Sequence, residues 1–196
     1  MKFSFLFPAL VASSAALFAA AGSDVSTARI SASDSAPRLV SETRAYVTMP
    51  PRSLEAYAGL AEALVQADVV GMRTIDVADQ PLRTEYELRV AQCYFGEVGA
   101  TVRVQVAGGR TETRSFVVEG APRLALGDQG LFFLGGRTEG DALSFLGLSN
   151  GCYAVKSVGG EVFVQGGEHA QQATELDAFV ARSFDARASF FAKEAR

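Results

Sequence analysis

The sequence has no tryptophan, one histidine, two cysteines and three lysines among its 196 residues, and each shortage removes a class of chemistry. A structural zinc site draws four ligands from Cys and His, and His169 stands alone in "QGGEHAQQA" beside Glu168. A serine nucleophile needs a base to take its proton. His169 is the only imidazole to fill that role, and no G-x-S-x-G elbow accompanies it; it reads as a solvated loop residue. "GGRTEG" at 135–140 lacks the lysine and the following helix of a phosphate loop, and G-x-G-x-x-G is absent. No catalytic, cofactor-binding or metal-binding residues are assigned, and no cofactor is expected.

Positive charge is also short. Eighteen Lys and Arg face 22 Asp and Glu, for a net charge of −4. The arginines are scattered among acidic residues and form no basic stripe. Phosphate backbones need clustered cations, so nucleic acid is excluded as a partner. The same scatter argues against binding to a membrane surface.

What is present at the start is a leader. Lys2 precedes the apolar run "FSFLFPALVASSAALF" at 3–18, and Ala19 and Ala21 occupy the small-residue positions of a cleavage site. Residues 1–21 read as a signal peptide cut after Ala21, because Pro8 and the serines interrupt the run. The expected location is exported, periplasmic or extracellular, with no membrane insertion after cleavage. Residues 22–48, rich in Ser, Ala and charge, read as a flexible lead-in. In an exported chain, two cysteines read as one disulfide. A Cys93–Cys152 bridge would close a loop of about 60 residues, contributing about 4 kcal/mol on the chain-entropy view.

Beyond Pro50-Pro51, Ser53 stands where a helix N-cap belongs. Leu54, Tyr57, Ala58, Ala61, Leu64 and Val65 follow at helical spacing, predicting a helix over about 53–66. The period then changes. "DVVGMRTIDV" reads as a strand bulged at Gly71, and Tyr86, Leu88 and Val90 alternate with Glu85, Glu87 and Arg89. Val102, Val104 and Val106 repeat the alternation, with Arg103 and Gln105 outside. Leu131–Leu134 is apolar throughout, as a strand buried on both faces is. Gly159-Gly160 marks a hairpin. Roughly eight short strands between turns predict a closed or sandwiched antiparallel sheet. A second helix is predicted over about 174–192, with Leu176, Phe179, Val180, Phe184, Ala188 and Phe191 packed across the sheet.

Carboxylates are the remaining route to catalysis. Glu85 and Glu87 fall on the expected wet face of a strand beside arginines, where such charges usually serve solvation and cross-strand pairing.

Three strings, "QADVVGMRTIDV", "TEYELRVAQCYFGEVGATVRVQV" and "LALGDQGLFFLGG", resemble the netrin-like domain of netrin tails and tissue inhibitors of metalloproteinases. Tyr94, Phe95 and Gly96 match its aromatic-turn position, and Gly127–Leu134 its last short strand. "MPPRSLEAY" and "GLSNGCY" resemble segments of exported bacterial proteins with that domain. The resemblance covers about residues 49–165. It implies a mainly β fold, an antiparallel OB-like (netrin-like) β-barrel with flanking N-terminal and C-terminal helices, within a single domain over 49–193. It carries over no inhibitor's site, because those inhibitors use a mature N-terminal cysteine and Gly22 would stand there. The expected function is that of a monomeric, exported, non-catalytic binding or interaction module, not an enzyme, whose partner is a protein or a surface glycan. The alternatives are a protease inhibitor of netrin-like type and an envelope enzyme acting on glycan through carboxylates.

Overall fold

The computed structural model describes residues 41–46, 52–138, 141–167 and 172–195; the leader, most of the lead-in and His169 lie outside them. In chain order the elements are β1 (Ser41–Tyr46), α1 (Leu54–Leu60), β2 (Ala63–Ile75), β3 (Arg83–Phe95), β4 (Thr101–Ala107), β5 (Gly109–Arg110) and β6 (Arg114–Glu119). After these come β7 (Gln129–Gly135), β8 (Ser144–Phe145), a 3-10 turn (Leu148–Gly151), β9 (Cys152–Val158), β10 (Glu161–Gly166), β11 (Thr174–Glu175) and α2 (Leu176–Glu194). The fold is mainly β, with two helices.

The apolar run Leu131–Leu134 sits at the centre, as its composition requires. β7 lies between β2 and β9 in a sheet ordered β11-β10-β9-β7-β2-β3-β4, and all these pairings are antiparallel. Side chains alternate across a strand, so the run feeds two cores. Phe132 and Leu134 join Val65, Val69, Leu88, Val104 and Phe145 on one face. Leu131 and Phe133 join Leu64, Tyr57, Val164, Phe179 and Val180 on the other. An alternating strand with a wet face could not do both.

The first core is bordered by hydrogen-bonded strands. β2 pairs β3, β3 pairs β4, and β8 pairs β7 at Leu134–Phe145. The remaining step is a parallel bridge between Val104 and Leu143. There the Gln105 amide donates to the Leu143 carbonyl at 2.8 Å, and the Leu143 amide donates to Arg103 at 2.9 Å. The long strand β2 bends by bulging; its register against β3 shifts between Val69 and Gly71, where the sequence predicts it. Gly159 and Gly160 both take positive φ, 64° and 91°, as a two-residue hairpin between β9 and β10 needs.

The first helix is shorter than its apolar spacing predicts. Ser53 caps it, accepting from the Ala56 amide at 3.3 Å, but it ends at Leu60. Leu64 and Val65, predicted to be helical, are strand residues paired with both β3 and β7. Two flanking strands bury both their faces, which a helix here could not achieve. The ending helix is capped from elsewhere. Arg187 of α2 donates to the carbonyls of Ala58 and Ala61 at 2.6 and 2.9 Å, and its guanidinium lies over the Phe95 and Phe191 rings at 4.4 and 5.1 Å. This meets the need of terminal carbonyls for donors and positive charge.

α2 spans Leu176–Glu194, with Leu176, Phe179, Val180 and Ser183 buried. Of the predicted stripe, Phe184 and Phe191 remain largely exposed. β1 falls within the predicted lead-in, yet it pairs in parallel with β6 along Ser41–Tyr46. Almost all of its residues are exposed, so backbone bonds hold it and no apolar pattern announces it.

The expected disulfide is absent: Cys93 and Cys152 are free thiols. Cross-strand register explains the separation. Cys93 is opposite Val65, Val65 opposite Phe132, and Phe132 opposite Cys152. Three ladder steps put the cysteines about 14 Å apart along the sheet, whereas bridged cysteines have Cα atoms within about 7 Å.

Candidate functional site

Phe133 is fully buried and anchors an aromatic cluster on the helix-covered face of the sheet. Its ring lies 6.1 Å from Tyr57, 6.1 Å from Tyr153 and 6.4 Å from Phe179, and Tyr153 lies 4.7 Å from Phe179. Each ring comes from a different element. Tyr57 is on the inward face of α1, Tyr153 near the start of β9, and Phe179 in the first turn of α2.

On the outer side of this cluster the elements leave a cavity of about 230 Å3. Tyr57, Tyr153, Phe179 and Val164 wall it, Thr174 and Gln172 offer polar atoms, and Arg52 and Arg182 flank it. Tyr57, Val164 and Phe179 have almost no exposed surface, so the walls are part of the core. Gly166 also lines it; a side chain there would run against the Cys152 carbonyl 2.6 Å away, which keeps that edge bare.

The electrostatics are one-sided. Among the described residues, two arginines and no carboxylate line the cavity, on a chain whose net charge is −4. Neither Arg52 nor Arg182 forms an ion pair with another described residue. Arg182 lies over the Phe179 ring at 5.7 Å, three residues along the helix. The lining described here offers aromatic faces, hydroxyls and guanidinium donors. Such groups can hold and orient a molecule by stacking and hydrogen bonding.

The carboxylates weighed from the sequence lie elsewhere. Glu85 is buried, contrary to the expected wet face. It accepts from Arg73 Nη2 at 2.6 Å and from Gln105 Nε2 at 2.9 Å. Thr138 in turn donates to Gln105 at 3.3 Å. Burial alone pushes the Glu85 carboxyl up, but the hydrogen bonds from Gln105 and Arg73 and the charges of Arg73 and Arg103 outweigh it, leaving the pKa below the usual range. Glu85 is therefore held as an anion, unlike a general acid, which needs a raised pKa. Glu87, Glu97 and Glu161 are exposed; Glu87 shares with Glu85 an open hollow of about 420 Å3, which Arg73 and Arg103 also line, so both carboxylates there face guanidinium groups. Burial also pushes the Cys152 thiol up, away from thiolate reactivity.

Sequence reading missed this cavity. Tyr57 and Phe179 were legible as apolar positions of two helices, but the pairing of β9 with β10 and the contact of α1 with α2 bring them together from over 120 residues apart. The local signal available was Phe179 followed by Arg182, a ring and a cation one helical turn apart. A scan against protein-family models and a search of curated proteins each found no match for this chain.

Proposed function

We propose that this protein is an exported, non-catalytic binding module, and that the cavity between α1, β9, β10 and α2 is where it binds. The single observation carrying this reading is an aromatic-walled cavity flanked by two arginines that have no ion-pair partner among the described residues. An unpaired arginine over a ring is what a recognition site presents to an incoming group. The leader-like residues 1–21 support export to the periplasm or the exterior. The ring of strands β2-β3-β4-β8-β7, with the parallel step at Leu143, supports reading the scaffold as an OB-type barrel of the netrin-like kind. That scaffold places its extra strands β9–β11 and both helices around the cavity.

A fragment screen by NMR on the purified chain tests this reading. Binders are expected to shift the backbone amides of Tyr153, Val164, Thr174 and Phe179 together. Hits confined to other surfaces, or none at millimolar fragment, would overturn it.

A further inference from the structure

Resting on that reading, we propose that the cavity takes a carboxylate carried on a single apolar ring, its ring against Tyr57, Tyr153 and Phe179 and its carboxylate between Arg52 and Arg182. The size sets the ring. A closed cavity of about 150 Å3 accepts benzene, so 230 Å3 has room for one ring and a short side chain. The walls set its character. Tyr57, Val164 and Phe179 are buried and belong to the core, which favours a flat or aliphatic ring over a hydrated sugar.

The charge sets the second group. Arg52 precedes the Ser53 cap of α1, and Arg182 lies in the second turn of α2. Both line the same opening, and no carboxylate is among its described lining residues. A planar guanidinium matches a carboxylate with paired hydrogen bonds. Thr174 and Gln172 at the same rim can complete its coordination. A cationic ligand meets two like charges there, and a neutral one leaves both guanidinium groups unanswered.

This chemistry has two sources: a free ring-bearing acid, or the C-terminal aromatic residue of a peptide. Calorimetric titration of the full chain at low salt separates them. The probes are 3-phenylpropionate and its amide, and a tetrapeptide ending in Phe as free acid and as amide. The acid of the favoured source is expected to bind at least about tenfold tighter than its amide, a difference that salt reduces. Arg52→Gln with Arg182→Gln removes that difference while leaving amide binding in place. Neither arginine forms an ion pair with a described residue and Arg182 contributes a single ring contact to Phe179, so the variant is expected to melt within a few degrees of the wild type. Equal binding of acid and amide by the wild type overturns the carboxylate assignment but leaves the cavity as a binding site. No binding of any probe, with fragments shifting no cavity amide, overturns both.

Discussion

Arg187 joins more of this molecule than any other charged residue described above, since it caps α1 from α2 and stacks between Phe95 and Phe191. Arg187→Leu removes two charge-assisted bonds to buried-end carbonyls, and a loss of about 2–3 kcal/mol in chemical denaturation is expected. Arg187→Lys should restore only part, because an ammonium cannot reach two carbonyls and cover two rings at once. Glu85 makes a second prediction, with a sign fixed by its depressed pKa. Its contribution is fully present above the unfolded carboxyl pKa of about 4.3 and is lost as pH falls through the lower folded value. Glu85→Gln should cost about 1–3 kcal/mol at neutral pH, and the gap between variant and wild-type melting temperatures should close on acidification below about pH 4. A gap that stays constant would show that Arg73 and Gln105 do not hold the charge. The thiols give a third. The chain unfolded without reductant should yield two reactive thiols, with Cys152 the slower in the native state because desolvation pushes its thiol up.

Elements were legible where one physical demand dominated. Leu131–Leu134 had to be buried on both faces, Gly71 marked a bulge, and paired glycines marked a hairpin; the structure has all three. The helix boundary was not legible. Ala61, Leu64 and Val65 continue the helical spacing of α1, but β3 and β7 claim that stretch from residues far along the chain. Tertiary pairing overrode a local period. Glu85 was misplaced for a related reason: strand alternation gave its face correctly, but that face is covered by Arg73 and Gln105. β1 was invisible because its side chains bury almost nothing. The helix pair carries its own test. A methyl at Gly59 would overlap the Phe190 ring, so Gly59→Ala should destabilise by about 1–3 kcal/mol despite a gain in helix propensity of about 1 kcal/mol. Combining it with Phe190→Ala should cost less than the sum of the two single changes, measured as a double-mutant cycle.

At the scale of the whole molecule, two cores share one pair of strands. The core of Phe132, Val65 and Val104 is enclosed by sheet, and that of Phe133, Tyr57 and Phe179 by helices. β2 and β7 are the wall between them, so a change in that wall reaches both. Phe133→Ala should cost about 3–5 kcal/mol and also weaken binding in the cavity, since three of its walls rest on that ring. Neither consequence was legible locally, because the two faces of the β7 run look alike until the strands on either side are known. Among the described residues no helix is long and apolar enough to cross a membrane.

The bridge at Leu143 has a further consequence. The other strand contacts around the first core pair residues within named strands, while β4 meets Leu143 through one bridge and two amide bonds. That makes it the thinnest connection around the first core. Opening there would break the fewest bonds, so deuterium should enter at the Gln105 and Leu143 amides long before it reaches those of Val65 and Phe132, and whatever loosens this protein should begin by unzipping between Arg103 and Gln105.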